Sequence, residues 1–401
     1  MSDEKFFSGL DVAYLASCVL ANKIPDADQI STVDYSMLYK QSARQSMQGA
    51  VYLALKGFVN KNGTFLEGLT VDLLSQFERD YKIQTNKMIS LTLEREKLIT
   101  FMEDRGIWYL PLKGIILQNF YPQIGIRQMA DNDILFDIKF RKDIKKFMVE
   151  SGYEVASYGK GVHDTYYKKP FCNFELHAYL YRESVNPVFD KYYSDVKSRL
   201  IKDADNLCGY HFSDEDFYIH TLTHIYKHYS HGGLGIRFLM DIYVSLESKG
   251  KSFNWDYINS ELEKLGISGF ARMAETLSQK LFSFSNVNYR NDLTSFKETE
   301  INELRYFIHS GIYGTKQNAI DKDVEKINSE GTITKNVRFK YLIRRLFPSL
   351  LYYKENYPFF YKYKIFIPFF VIYRMTFKSF VSRENIKTEL KLLKNIKRTH
   401  K

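Results

Sequence analysis

LKGIILQNFYPQIGIRQMADNDILFD (112–137) and FELHAYL (174–180) are the stretches on which the fold turns. The run Asp131 to Ile138 reads as a strand. Side chains alternate between the faces of a strand, so Asp131 and Asp133 share one face, and Asn132, Ile134 and Phe136 share the other, more apolar one. Phe174-Glu175-Leu176-His177 alternates in the same way and sets Glu175 and His177 together. Upstream, Ile107 to Leu112 is short, apolar and aromatic and reads as another strand. Lys113-Gly114 then leads into Ile115–Phe120, an apolar run that fits a short helix. Phe140 to Ser151 has helical spacing and stops at Gly152. Tyr153–Tyr158, His163–Tyr167 and Phe171–Leu180 complete the set as strands. The order β-α-β-α-β-β-β predicts an α+β fold built on a small mixed sheet, within residues 105–204.

The flanks have a different period. Val12, Leu15, Ala16 and Val19 fall at i, i+3, i+4 and i+7, and Leu73 to Met102 continues the helical theme, so residues 1–104 read as an N-terminal helical region. Residues 205–330 read as a second helical region that closes over the core. It carries His220, His224 and His228 on one helical face, then a glycine-rich turn at 232–235 and a helix over Ile236–Leu246. Such histidine spacing also suits zinc, but no Glu stands beside the first His to complete a metalloprotease motif. Residues 331–401 are basic, aromatic and mostly helical, with a lysine-rich end (387–401) expected to fray.

Composition narrows the class. The chain has 401 residues, enough for a substantial core. No stretch reaches the ~18 consecutive apolar residues that would span a bilayer. The opening MSDEKFF has no basic stretch followed by an apolar run, so no secretory signal is expected. Cys18, Cys172 and Cys208 are too scattered for a disulfide framework or a cysteine metal site, which suits the cytoplasm. Residues 335–401 hold 17 Lys or Arg against three Glu, a local charge of +14, while the rest of the chain sums to −4. Any anionic partner should meet this tail. An anionic membrane surface suits its mixture of cations and aromatics, at the inner face of the membrane. A helix packed on the body with a solvated basic face is a reading of equal weight, and a nucleic-acid backbone is the third.

Transfer chemistry at a phosphate needs a divalent cation to offset charge, and Mg²⁺ or Mn²⁺ takes two or three carboxylates on a rigid support. Asp131 and Asp133 supply two, and Glu175 is the candidate third. Gly114 would let backbone approach a phosphate closely, and Arg127, four residues before Asp131, would pair with phosphate oxygens. Taken alone, an acidic pair at a strand end is also common on solvent-facing surfaces.

With these residues in view, the chain resembles the bacterial uncharacterised nucleotidyltransferase family of the polymerase-β-like superfamily. The resemblance runs through Lys113-Gly114, Tyr121-Pro122, Arg127, Asp131, Asp133, Glu175 and His177, and continues at His224, His228, Arg237 and Asp241. It covers roughly 90–250 and, more loosely, Leu346-Phe347-Pro348. It implies a nucleotidyltransferase core with Asp131, Asp133 and Glu175 as catalytic metal ligands. It also implies Lys113, Gly114, Arg127, His177, His224, His228, Arg237 and Asp241 around a nucleotide. The implied partners are a nucleoside triphosphate or nucleotide-sugar donor and a small-molecule, saccharide or peptide acceptor. The alternatives it leaves are glycosyl transfer from a nucleotide sugar, or nucleotide binding without catalysis. Two departures stand out. Ile115 follows Gly114 where the superfamily has a Ser or Gly, and Asn132 replaces an apolar residue, which suits a partly solvated face.

Overall fold

The computed structural model describes residues 2–329, 337–373 and 383–394. The sheet is mixed and has the spatial order β1-β2-β5-β4-β3, with β1 Tyr109–Pro111, β2 Asn132–Phe136, β3 Glu154–Ser157, β4 His163–Lys168 and β5 Cys172–His177. Only β2 and β5 run parallel; the other neighbours are antiparallel. The expected α+β architecture is therefore the observed one, with most strands a residue or two shorter at their ends. The expected helix at 115–120 divides into a short α-helix, Gly114–Leu117, and a 3₁₀ turn, Gln118–Phe120. A small antiparallel pair, β6 Leu200–Lys202 and β7 Tyr210–Phe212, was not anticipated. It leans on the sheet edge through a bridge between Tyr109 and Gly209.

Helices are numbered from the N-terminus: α1 Ser2–Leu20, α2 Tyr35–Gln45, α3 Gln48–Asn62, α4 Val71–Asp104, α5 Gly114–Leu117, α6 Arg141–Glu150, α7 Asp214–Tyr229 and α8 Arg237–Lys249. The long α4 starts at Thr70, whose hydroxyl accepts the Leu73 N–H and so satisfies one orphan donor of the first turn.

Strand alternation decides which face meets which helix. Ile134 and Phe136 of β2, and Phe174 and Leu176 of β5, pack with Met88, Leu91, Leu98 and Met102 of α4 and with Ile144 and Met148 of α6 in one apolar cluster. The opposite sheet face carries Asp133, Glu175 and His177 toward α7 and α8.

Asn132 corrects an expectation. Its face is not partly solvated; the residue is fully buried against α4. It is tolerated because both ends of the amide are satisfied. Asn132 Oδ1 accepts from Arg95 at 3.1 Å, and Nδ2 donates to the Leu91 carbonyl at 2.8 Å.

A second cluster joins the N-terminal helices to the later ones. Phe6, Leu10 and Leu15 of α1 share it with Ile219 and Leu222 of α7, Leu239 of α8, and Leu304, Phe307 and Ile308. Beyond it, α9 Glu298–Ser310 and α10 Lys316–Ser329 lead to the basic tail, whose described helices are α11 Val337–Leu346, α12 Leu350–Asn356, α13 Pro358–Lys362, α14 Ile367–Tyr373 and α15 Arg383–Lys394. The fraying expected over 387–401 falls partly outside the described residues. Among the described residues, no helix is long and apolar enough to cross a membrane.

Candidate active site

The parallel register of β2 and β5 sets Asp133 opposite Glu175. Both point to the face away from α4, and Asp131, just before β2, joins them there. One carboxylate oxygen from each of the three lies within 4.8 Å of the others. Asp133 is only 5% exposed. Lys113 reaches across from the loop after β1. Its Nζ is 2.5 Å from Asp133 Oδ1 and 3.9 Å from Glu175 Oε2. His177, two residues along β5 from Glu175, donates Nε2–H to Asp133 Oδ1 at 2.9 Å.

The crowding sets the charge states. Burial alone would raise the Asp133 carboxyl, but the Lys113 ammonium and the His177 hydrogen bond outweigh it and hold it well below the usual range. Asp131 goes the other way: burial, then the nearby Asp133 charge, push it up to about 6. Glu175 is pushed up to about 7 by burial and by Asp133. One carboxylate is thus locked ionised while its two neighbours resist ionisation until more positive charge arrives. Three oxygen donors of this kind fit a hard divalent cation such as Mg²⁺ or Mn²⁺.

The carboxylates sit in the wall of a cavity of about 270 Å³, which Lys113, Gly114, His224, His228 and Arg237 also line. Its polar groups come from three directions. Lys113 holds the backbone at φ +49°, a left-handed conformation rare for a side chain this large. Gly114 follows because space demands it: a Cβ there would lie 2.7 Å from Arg127 Nη1. From α7, His224 and His228 stack edge to face at 4.6 Å. From α8, Arg237 donates Nη1–H to the Gln128 carbonyl at 2.7 Å, while its buried Nε has no partner among the described residues.

Arg127, expected to pair with phosphate, lines the same cavity and is also held within the protein. Its Nε and Nη2 donate to Asp241 at 2.7 and 3.1 Å, and the Tyr121 hydroxyl donates to the same carboxylate at 2.7 Å. This buried pair fastens the loop before β2 to α8. Gly114 and Asp241, expected around a nucleotide, line the cavity and also seat Arg127. The three histidines of α7 also part company. His224 and His228 face the cavity, whereas His220 packs among Phe212, Tyr193 and Tyr181 with ring centroids 5.4 to 6.5 Å away. They do not converge as a metal set among the described residues.

Three groups near the carboxylates escaped the sequence reading. His163 of β4 lies directly opposite His177 of β5. Lys87 of α4 adds positive charge beside Asp131, and Lys227 of α7 faces Glu175 and Asp133. Only the strand register and the helix rotation bring them in, so no local spacing reveals them.

The family described as uncharacterised nucleotidyltransferase matches residues 31–283, more than half of the chain. No curated protein and no solved structure matches it.

Two stability measurements follow from this geometry. Asp241→Leu leaves the Arg127 guanidinium buried and unpaired and should destabilise the fold by roughly 3–5 kcal/mol in urea unfolding. The double variant Arg127→Met/Asp241→Leu should recover much of that loss; equal losses would contradict a buried pair. Burial holds His220 down to about 3, below an unfolded value near 6.5. The unfolded chain therefore takes up the proton first, and stability present above about pH 6.5 drains away as the pH falls toward 3, by about 1.4 kcal/mol per pH unit for this residue. His220→Phe should flatten the urea-midpoint profile between pH 6.5 and 4, and an unchanged slope would contradict it.

Proposed function

The chain belongs to the uncharacterised nucleotidyltransferase family, and we propose that it transfers a nucleoside monophosphate from a nucleoside triphosphate to a small-molecule, sugar, sugar-phosphate or peptide acceptor. The observation that carries this is the convergence of Asp131, Asp133 and Glu175 with Lys113 in the wall of one cavity. We assign the core of this activity to residues 105–204, on a sheet of polymerase-β-like type, and closure of the cleft to 205–330. Asp131, Asp133 and Glu175 would hold Mg²⁺ or Mn²⁺, which offsets phosphate charge and stabilises the leaving oxygen.

The chain's own residues do the rest. Lys113 neutralises donor phosphate oxygens next to the carboxylates. Arg237 carries a buried Nε with no partner among the described residues and offers it to the same triphosphate. His224 and His228, kept neutral by burial, present ring edges and faces to the donor without adding charge. An acceptor hydroxyl or phosphate oxygen attacks the α-phosphorus. The bond from that phosphorus to the bridging oxygen breaks and pyrophosphate leaves; Glu175 either completes the metal site or, left free of the ion, takes the proton of an attacking hydroxyl. Ile115 after Gly114 supplies no hydroxyl for the terminal phosphates, and this favours one other donor, a nucleotide sugar, whose diphosphate meets the same residues.

We also infer an anionic membrane surface as a partner of the tail. Phe359, Tyr363, Phe366 and Phe369 form a contiguous patch in which Phe359 lies 5.2 Å from Tyr363 and 5.9 Å from Phe366. These rings are 43–66% exposed, and Ile365 beside them is 77% exposed. Lys362 and Lys364 flank the patch, and residues 357–382 contain no Asp or Glu. Exposed aromatics ringed by cations are what an anionic lipid interface rewards.

With α-labelled nucleotides, Mg²⁺ and a panel of saccharide and peptide acceptors, the wild type should release pyrophosphate and label an acceptor. Asp131→Asn and Asp133→Asn should each lower the rate about a hundredfold or more. Rates untouched by both changes would sink the transfer reading, and a product carrying the sugar instead of the nucleotide would shift it to the nucleotide-sugar donor. For the tail, the intact chain should sediment with phosphatidylglycerol-containing vesicles at low salt and less at high salt. Phe359→Ser/Phe369→Ser should cut the bound fraction about tenfold. Failure of the intact chain to bind those vesicles, or equal binding by the double variant, would contradict it.

A further inference from the structure

We propose that His163, Glu175 and His177 form a second divalent-metal site, of mixed nitrogen and oxygen donors, that takes a borderline transition ion such as Zn²⁺ or Co²⁺ and shares Glu175 with the all-oxygen site. Two neighbouring strands build it. The antiparallel register of β4 and β5 sets His163 across from His177, and alternation along β5 puts Glu175 on the same face as His177. The donor type therefore grades across the sheet face, from Asp131 and Asp133 at β2, through Glu175, to the two imidazoles.

The spacing is that of metal ligands and not of hydrogen-bonded partners. His163 Nε2 is 3.6 Å from Glu175 Oε1, and His177 Nε2 is 3.9 Å from Glu175 Oε2. Both exceed hydrogen-bond range. Ligands at the usual Zn–N and Zn–O distances around a tetrahedral ion stand roughly 3.3 Å apart, so small side-chain movements close the set. One ligand atom from each of the three residues lies within 4.8 Å of the other two. The two rings meet edge to face at 5.0 Å between centroids. Both Nδ1 atoms are buried with no partner among the described residues, so no hydrogen bond there commits either ring from its far side. Among the described residues Asp133 holds His177 Nε2 by a hydrogen bond; ligation would move that ring's proton to the free Nδ1, and Lys113 keeps Asp133 partnered.

Imidazole ligands move the preference away from Mg²⁺ and toward the later first-row ions, which separates this site from its all-oxygen neighbour. A carboxylate shared between two ions is a common feature of paired metal centres. The proposal rests on the same carboxylate cluster as the transfer reading but reads ligation alone, so its failure leaves that reading standing.

Co²⁺ titration of the full chain, followed by visible absorption, tests it. The wild type should develop the intense bands of a low-coordinate ion with nitrogen ligands. His163→Ala should abolish those bands, and His163→Gln, which keeps polarity and bulk, should do so with an unchanged far-ultraviolet circular dichroism spectrum. Asp131→Asn and His220→Phe should leave the bands in place. Weak, octahedral-type bands only in the wild type, or full bands in a folded His163→Gln chain, would overturn the proposal.

Discussion

Three carboxylates cannot share a buried corner unless positive charge shares it with them, and the rest of the site follows from that repulsion. The parallel pairing of β2 with β5 forces Asp133 and Glu175 side by side, and the strand period adds Asp131. Each resists ionisation next to the others, and only Asp133, gripped by Lys113 and His177, is held firmly charged. The surroundings supply the compensation: Lys113 in contact, Lys87 beside Asp131, and Lys227 and Arg237 further out. Such an arrangement is costly for a protein of purely structural purpose, because burying charge is repaid only by close pairing. It is well suited to a pocket that admits a cation together with a polyphosphate.

A second buried ion pair lies in the wall of that pocket. Arg127 and Asp241 join the loop ahead of β2 to α8, and Tyr121 adds a third hydrogen bond to the same carboxylate. Because α8 also carries Arg237, one pair orients both a wall of the cavity and a cation within it. Gly114 belongs to this device: its missing side chain leaves the space that the Arg127 guanidinium occupies. The apolar cluster running from α1 to Ile308 backs α7 and α8, so His224 and His228 face the cavity from a packed frame.

Much of this was legible in the sequence wherever it depended on local period. Alternation alone placed Asp131 with Asp133 and Glu175 with His177, and the strand and helix order of the core followed from turn residues and apolar spacing. What was not legible depends on pairing between distant segments. Arg127 stands four residues from Asp131, yet its partner is Asp241, more than a hundred positions away, so proximity in sequence gave no sign of that pair. Asn132 looked like a solvated residue, because nothing in β2 reveals that Arg95 and the Leu91 carbonyl wait across the interface. His163 enters the site only through its register with His177. The hairpin of β6 and β7 is too short and too weakly patterned to announce itself.

Mn²⁺ binding, read by electron paramagnetic resonance on the full chain, tests the carboxylate cluster as a cation site most directly. The wild type should immobilise Mn²⁺, and Asp133→Asn should weaken that binding at least about tenfold while leaving the fold intact. Equal binding by the two proteins, or free Mn²⁺ throughout a titration of the wild type, would contradict the site.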